Sequence, residues 1–302
     1  MSAIDVTPWD GSGATRQGGV EVRCEGVVHL YRTFAGHDVV ALRGLDLSIA
    51  PGERVAFLGP SGCGKSTLLT LLGGIQRPSA GRIFLGDQEI SRLSERRLTR
   101  VRARLVSTML QGATRNLLSY ATARQNLAFS QLGTDPEDRD ELPEPAELLE
   151  RVGLADQRDQ AVSTMSGGQR QRLALACAVS TGPRLLLADE PTSALGHDDR
   201  AVVVDLLHRV ATDLDTTLVV VTHQAEVAAS FPRTITMKNG RIGAEGRSGS
   251  EYAVLGEEGL LHLPTELAEL WPAGLLVRIE AEGDDRLVIS REGGQNPEER
   301  QP

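Results

Sequence analysis

The chain has 302 residues, of which 40% are hydrophobic and 24% are charged, so it can bury the core of one large domain with a further segment appended. Most of the formal net charge of -9 lies in residues 248–302, which hold 4 Arg against 12 Asp and Glu. The nearly neutral remainder offers no net field for binding nucleic acid. No apolar run approaches the roughly 20 residues of a membrane-spanning helix, so at a membrane another chain must supply the pore.

The N-terminus and the cysteines both favour a reducing cytoplasm. Asp5, Trp9 and Asp10 lie where a signal peptide would need a basic patch and an apolar block, so we predict no export. The three cysteines have neither metal-like nor disulfide-like spacing.

Short apolar stretches follow residues 1–18, a Gly-, Ser- and Thr-rich segment that we predict to be disordered. Strands are predicted at residues 20–31, 39–49, 54–58, 185–188 and 217–221, and a hairpin with an Asn239-Gly240 turn at residues 237–242. Helical patterns alternate with these strands, the first at residues 65–74. This alternation predicts a mainly parallel sheet covered by helices.

Two further segments are predicted beside this sheet. Residues 112–165, interrupted by the acidic, Pro-containing stretch 133–145, are too long and too helical for a loop and predict a helical subdomain. Residues 248–302 follow a Gly/Ser linker at 246–250 and predict a small β-rich module. Its predicted elements are a strand at 260–263, a helix at 264–271, and strands at 275–281 and 286–290 around a turn at 283–285.

Residues 59–66, with the sequence GPSGCGKS, lie between the predicted strand 54–58 and the following helix. Three glycines in this loop let successive N–H groups point at the β- and γ-phosphates of a nucleotide, and the helix adds its positive end. Lys65 adds a full charge, and Ser66 offers a hydroxyl to Mg²⁺. Strand, loop and helix thus predict an ATP site that uses Mg²⁺. Its predicted binding residues are Gly59, Ser61, Gly62, Cys63, Gly64, Lys65, Ser66 and Thr67.

A phosphate loop alone could belong to a kinase, a GTPase or a motor, so the class depends on what else is present. Residues 185–190, LLLADE, predict an apolar strand that ends in two acids. Asp189 is placed to bind Mg²⁺, and Glu190 to orient and activate an attacking water. The alternative is that they are two surface acids after a core strand.

Residues 166–172, SGGQRQR, precede a helical pattern that ends at Val179. With the two preceding motifs, this segment resembles the signature sequence of the ABC-type ATPases, and the resemblance covers residues 20–246. It implies an α/β fold: a phosphate-loop ABC ATPase domain with a parallel-sheet core, an antiparallel β subdomain and a helical subdomain. It also implies that this helix N-terminus binds the γ-phosphate held by a second subunit, through Ser166, Gly167, Gly168 and Gln169.

The resemblance assigns three more residues. Gln111 matches the glutamine that senses Mg²⁺ and the attacking water and touches the membrane partner. His223 matches the histidine that contacts the γ-phosphate and supports Glu190, where the alternative is an ordinary strand-end histidine. Tyr31 matches the aromatic residue that stacks on adenine, where the alternative is a half-buried core tyrosine. The implied catalytic residues are Glu190, His223 and Gln111, and the implied metal ligands are Ser66, Gln111 and Asp189.

One position departs from the family pattern. In residues 193–196, SALG, the family usually has Asp where this chain has Gly196. That aspartate helps the two nucleotide sites communicate, so we expect slower turnover with nucleotide binding intact.

Within the ABC-type ATPases, the chain resembles the lipoprotein-release, macrolide-exporter and cell-division group, although amino-acid importers share much of the pattern. The resemblance lies in the spacing, relative to the phosphate loop, of Tyr31, residues 41–44 and residues 51–53. This implies a subunit at the cytoplasmic face of the membrane. Its implied partners are a separate permease, with export favoured, and a second ABC ATPase subunit, as a homodimer or with a paralogue. The alternative is a regulatory ATPase that switches a membrane or cell-wall partner without moving a solute. A soluble ABC protein of DNA repair or translation would need a coiled-coil insertion or a second nucleotide domain.

Three remaining features have plainer interpretations. The six arginines within residues 92–104 lack interleaved aromatics, which favours a solvated basic face over nucleic-acid binding. Cys63 is interpreted as a small tolerated side chain rather than a redox switch. Residues 256–291 weakly resemble AbrB/SpoVT-type modules, but their acidity favours a role in dimer reinforcement or regulatory docking over DNA binding.

Overall fold

A computed structural model of the protein describes residues 18–32, 37–134, 136–247, 250–253, 270–271, 275–283 and 286–291. The chain divides into two compact units, Met1–Val254 and Leu255–Pro302. The second unit begins later than the predicted boundary at residue 248, because Ser250–Ala253 pairs in an antiparallel ladder with Arg241–Arg247. This pairing includes residues 246, 247 and 250 of the predicted linker. The predictions for residues 1–17 and 260–269 lie outside the described residues.

The strands and helices of the described ranges are as follows. The strands are β1 (Val22–Arg32), β2 (Asp38–Ile49), β3 (Arg54–Leu58), β4 (Ala80–Leu85), β5 (Gln88–Glu89), β6 (Val106–Met109), β7 (Leu185–Asp189), β8 (Thr217–Thr222), β9 (Arg233–Lys238), β10 (Arg241–Arg247), β11 (Ser250–Ala253), β12 (Val277–Ala281) and β13 (Leu287–Arg291). The α-helices are α1 (Lys65–Leu72), α2 (Glu95–Leu105), α3 (Ala123–Gln131), α4 (Pro145–Arg151), α5 (Gly167–Val179), α6 (His197–Asp213) and α7 (Ala225–Ala229). Short 3₁₀ turns lie at Ala113–Arg115, Pro136–Glu141, Ala155–Gln157 and Val162–Thr164.

The first unit is built on a seven-stranded sheet with the order β11-β10-β9-β3-β8-β7-β6. The pairs from β9 to β6 are parallel, and β10 and β11 add an antiparallel edge. Successive residues of β7 face opposite cores: Leu186 packs with residues of α5 and α6, and Leu187 with residues of α1. Because both faces are covered, the central strands are continuous apolar runs. The predicted helix-covered, mainly parallel sheet is confirmed.

A second, antiparallel sheet, ordered β2-β1-β4-β5, shares a core with one face of the main sheet. Val22, Leu42 and Ile83 from its strands are fully buried with α1 residues in that core. The structure thus contains the antiparallel β portion that the resemblance implied.

Local features show where glycine sets the element ends. α1 ends two residues before the predicted position because Gly73 and Gly74 follow it, and Gly74 has a φ of 60°. The predicted hairpin at Asn239-Gly240 is confirmed, with φ angles of 52° and 77°.

In the second unit, β12 and β13 pair as an antiparallel hairpin. In the ranges given above, no helix has the length and apolar character needed to cross a membrane.

Candidate nucleotide-binding site

The carboxyl ends of four neighbouring parallel strands meet at one edge of the main sheet. β3 leads into residues 59–66, and β6 is followed by Gln111. β7 ends at Asp189, which Glu190 follows, and β8 leads into His223. Open α/β sheets bind their ligands at this edge. Sheet topology therefore gathers into one place residues that are far apart in sequence.

The phosphate loop is organised around Lys65, whose side chain is only 5% exposed. Its Nζ donates to the carbonyl oxygens of Gly59, at 2.6 Å, and Pro60, at 2.9 Å, and also meets the weak acceptor Cys63 Sγ at 3.8 Å. Gly64 begins α1 with a φ of 105°, and a Cβ there would lie 2.6 Å from a backbone carbonyl of β2. The loop thus holds an ammonium group at a helix N-terminus, an arrangement that suits phosphate.

The other loop residues divide between the surface and the core. Ser61 and Gly62 are exposed, and a Cβ at Gly62 would meet open space. Cys63 is buried, which removes the access that a redox-sensitive thiol needs and agrees with its interpretation as a small packing residue.

Ser66 and Asp189 supply the oxygen donors beside the loop. The Ser66 hydroxyl donates to Asp189 Oδ1 at 3.2 Å. Burial raises the pKa of the Asp189 carboxyl, and the negative charge of Glu190 adds to the rise. The Ser66 hydrogen bond and the positive charges of Lys65 and Arg115 act in the opposite direction. A carboxylate and a hydroxyl fit Mg²⁺, which takes one or two protein oxygens together with substrate phosphates.

The Glu190 carboxylate is held by hydrogen bonds at both of its oxygens. Its Oε2 accepts a hydrogen bond from Gln111 Nε2 at 3.0 Å, and its Oε1 lies 2.9 Å from His223 Nδ1, which therefore carries a proton in this contact. Its backbone N–H donates to Val221 O at 2.9 Å, and its φ of 46° is unusual for a residue other than glycine. Such backbone strain persists where the surroundings fix it, often at functional sites.

The turn after Gln111 is a feature that the sequence analysis did not identify. Asn116 closes it: its Oδ1 accepts from the Leu110 N–H at 2.8 Å, and its Nδ2 donates to Leu110 O at 2.8 Å and Gly112 O at 3.2 Å. Arg115 lies on this turn and is exposed. In the sequence, the only sign of this turn is an Asn five residues after Gln111. That spacing does not predict the turn by itself, because the three hydrogen bonds of Asn116 are visible only in the structure.

Tyr31 lies at the end of β1 over the start of α1. Its hydroxyl contacts Thr67 Oγ1 at 3.3 Å and donates to Gln76 Oε1 at 2.9 Å, while His29 packs against the ring in a T-shaped contact. The Tyr31 side chain is 37% exposed, which leaves ring surface available for stacking.

The signature residues form the N-terminus of α5. Ser166 accepts from the Gln169 N–H at 3.2 Å, and the Gln169 side chain accepts from the Ser166 N–H at 2.8 Å, a capping box. A Cβ on Gly168 would lie 2.2 Å from Asp199 Oδ1, so any other residue there requires the Asp199 side chain to move. Ser166 and Gly167 are exposed, and no hydrogen bond of the described residues joins 166–169 to the phosphate loop. Within the chain, these are separate groups.

Gly196 caps α6 with an ordinary φ of -64°, and a Cβ there would meet nothing within 4 Å. The glycine is therefore not required by local geometry, in contrast to Gly64.

Comparison with known proteins agrees with this geometry. The family model described as "ABC transporter" matches residues 42–193. The lipoprotein-releasing system ATP-binding protein LolD 2 of Caulobacter vibrioides is 38% identical over 217 residues, which cover 72% of this chain and 94% of that protein. The methionine import ATP-binding protein MetN of Xanthomonas oryzae pv. oryzae is 41% identical over 202 residues, 66% of this chain. The match spans only 59% of that relative's length.

The solved dimeric structure of the ATP-binding cassette MJ0796 in a post-hydrolysis state, bound to ADP and Pi, has a TM-score of 0.67 and 30% identity. The similarity covers 75% of this chain and 98% of that one. Fold and site together define a phosphate-loop ATPase cassette. The chain belongs to the ABC transporter family.

Proposed function

We propose that this chain is the ATP-hydrolysing subunit of an ABC transporter and that two such subunits close over two nucleotides. The contact that carries the proposal is the Glu190 carboxylate held between Gln111 and His223, next to the phosphate loop. A carboxylate fixed from both sides is suited to orient a water and accept its proton.

In this proposal, Lys65 and the loop N–H groups bind the β- and γ-phosphates, and Ser66 and Asp189 hold Mg²⁺. Bound Mg²⁺ supplies charge neutralisation for the phosphates. His223 keeps Glu190 in place by donating from Nδ1, and Tyr31 supplies a stacking surface for adenine. Each residue acts from a position fixed by a strand end or a helix start.

The second half of the site comes from another subunit. The exposed N-terminus of α5 offers Ser166 and Gly167, and a helix N-terminus attracts anions. The related cassette was solved as a dimer with ADP and Pi, which supports closure of two subunits. ATP binding would bring a partner's signature helix onto the γ-phosphate, and hydrolysis would release it.

We propose that the closing and reopening of the two subunits moves a separate permease, which they contact at the cytoplasmic face of the membrane. The family description "ABC transporter", and a relative named as the ATP-binding protein of a lipoprotein-releasing system, support a role as one component of a transport system. Export stays a prediction, because relatives named for lipoprotein release and for methionine import match at 38% and 41% identity.

The test is ATP-dependent dimerisation of a Glu190→Gln variant, which keeps the hydrogen-bonding shape but removes the base. We expect kcat to fall about 1000-fold, and size-exclusion chromatography with light scattering to show a dimer in Mg-ATP but not in Mg-ADP. Glu226→Gln is the control, because Glu226 is an exposed acid paired with Arg200 at 3.5 Å. A Glu190→Gln variant that hydrolyses ATP at the normal rate would falsify the assignment.

We further propose that the second unit reinforces the dimer or docks a regulator. The strand pairing of Ser250–Ala253 shows that a clean deletion should begin after Val254 rather than at residue 248. If a chain truncated there dimerises, binds its permease and hydrolyses ATP as the full chain does, this role is rejected.

A further inference from the structure

Tyr31 is held both at its hydroxyl and at its ring. The hydroxyl donates to Gln76 Oε1 at 2.9 Å and lies 3.3 Å from Thr67 Oγ1, and the ring of His29 contacts the tyrosine ring. Thr67 follows Ser66 in α1, and Gln76 lies just beyond the end of that helix. The hydroxyl end of Tyr31 is therefore fixed relative to the phosphate loop.

His29 supplies the ring contact. Side chains two residues apart on a strand point to the same face. The ring centroids of His29 and Tyr31 lie 4.7 Å apart at an interplanar angle of 82°. In such a T-shaped contact the edge of one ring meets the face of the other, an arrangement that aromatic rings favour. At least one face of the Tyr31 ring therefore stays free for a base.

The two rings also differ in exposure. The His29 side chain is 8% exposed, whereas that of Tyr31 is 37% exposed. The histidine thus lies on the protein side of the tyrosine, and the open surface of the tyrosine ring lies on the solvent side. A base that stacks on the open surface would not have to displace His29.

The His29 side chain acts through its ring and not through a hydrogen bond of Nδ1. This atom is buried and, within the described ranges, has no hydrogen-bond partner. A buried polar atom without a partner costs stability, so hydrogen bonding at Nδ1 does not account for the residue. Its contact with Tyr31 does give the imidazole a use, because it restricts rotation of the tyrosine ring.

We propose that His29 is a positioning residue for the adenine base, which fixes the plane of the Tyr31 ring before a nucleotide binds. This inference rests on the proposed function, in which Tyr31 stacks on adenine. A ring that is already immobilised loses less conformational freedom when a base stacks on it, and this raises affinity. The phosphates bind at the loop, so His29 acts on nucleotide affinity and not on the chemical step.

The test compares His29→Leu with His29→Phe in the full chain. Both side chains fill the buried space without ring nitrogens, but only phenylalanine keeps a ring against Tyr31. Loss of one aromatic pair weakens binding about fivefold. We expect His29→Leu to weaken Mg-ADP binding by this factor in calorimetry and to raise KM for ATP equally, with kcat unchanged. His29→Phe should bind Mg-ADP as the unchanged chain does. Binding of Mg-pyrophosphate, which lacks the base, should be equal in all three proteins.

A double-variant cycle isolates the coupling between the two rings. Tyr31→Leu should weaken Mg-ADP binding about 20-fold, because it removes the stacking surface. Adding His29→Leu to Tyr31→Leu should cost nothing further, since the ring that His29 positions is gone. His208→Leu is the matched control: His208 also packs on an aromatic ring, that of Phe231 at 4.5 Å, but on α6 and outside the proposed nucleotide contacts. Its affinity for Mg-ADP should equal that of the unchanged chain.

The outcomes separate this role from the proposed function. An unchanged ADP affinity for His29→Leu, beside a loss for Tyr31→Leu, overturns the role of His29 alone. Equal losses for His29→Leu and His29→Phe overturn it as well, because they assign the effect to the imidazole nitrogens. Additive losses in the double variant, or weaker pyrophosphate binding, overturn it by indicating a general distortion. If Tyr31→Leu leaves ADP affinity unchanged, the stacking part of the proposed function fails, and the role of His29 falls with it.

Discussion

The phosphate loop and the signature turn at residues 166–169 are both glycine-containing helix N-termini, yet their contacts with the rest of the chain differ. Around the phosphate loop, Lys65 bonds to two loop carbonyls and Ser66 bonds to Asp189. At the signature helix, Ser166 and Gln169 cap each other, and within the described ranges no hydrogen bond joins that turn to the phosphate loop.

Under the proposed function, the difference separates the half of the site that one chain completes from the half that a partner supplies. Groups that must hold a nucleotide before closure are fixed inside one chain, so they need no partner to be in place. Groups that must engage only on closure are left open to solvent. In that proposal, association of the two subunits depends on bound ATP, because the γ-phosphate would join the two halves.

The largest expected effect comes from mixing two inactive variants. Lys65→Ala removes the loop cation, and Ser166→Arg blocks the signature helix, so each alone should lose nearly all ATPase activity. In an equal mixture, mixed dimers retain one intact composite site, and about a quarter of the normal activity should return for a two-fold symmetric pair. The rate is measured against total protein with each variant alone as reference. A mixture that stays inactive would show that both halves belong to one chain.

A smaller effect is expected from Gly168→Ala. The new Cβ would lie 2.2 Å from Asp199 Oδ1, so the Asp199 carboxylate must move, and the signature turn shifts as well unless that side chain rotates away. Misplacement of this size costs up to about 100-fold in rate, whereas ADP binding at the phosphate loop should not change. The double variant Gly168→Ala, Asp199→Ala removes the obstructing carboxylate and should recover activity. If it does not, the glycine is needed for backbone approach to the partner and not for room inside the chain.

Gly196→Asp should act in the opposite direction and more weakly. The position has an ordinary backbone conformation and open space, so the substitution is sterically free. Restoring the acid expected at this position should strengthen coupling between the two halves and raise kcat about fivefold. Gly196→Asn is the control for size without charge. An equal gain from Asn and Asp would assign the effect to shape, and no gain from either would remove Gly196 as the cause of slow turnover.

The smallest effect is expected for cysteine chemistry. Burial raises the pKa of Cys177, on the signature helix, and of Cys24, in β1, to about 12 each. The thiolate is the reactive form, so at pH 8 only roughly one thiol in ten thousand is ionised at either position. Alkylation followed by mass spectrometry should leave both unmodified in the folded protein and label both in urea. Rapid labelling of Cys177, whose side chain is half-buried on α5, would show that its surroundings do not hold the thiol protonated.

Sequence alone was sufficient to locate features that depend on neighbours in the chain. The phosphate loop was recognisable because its glycines, Lys65 and Ser66 act through local backbone geometry between a strand and a helix. The central strands were recognisable because burial on both faces requires continuous apolar residues. Gln111 and His223 were assigned by family resemblance, but their contact with Glu190 joins residues 79 and 33 positions apart.

Only the tertiary structure decided the contacts that cross the sheet. The order β3-β8-β7-β6 brings four strand ends to one edge, and nothing in the separate segments specifies that order. The same holds for the space in which Gly168 meets Asp199 and for the turn that Asn116 closes after Gln111. Local patterns encode the elements and their ends, whereas packing between distant segments decides which side chains come into contact at one site.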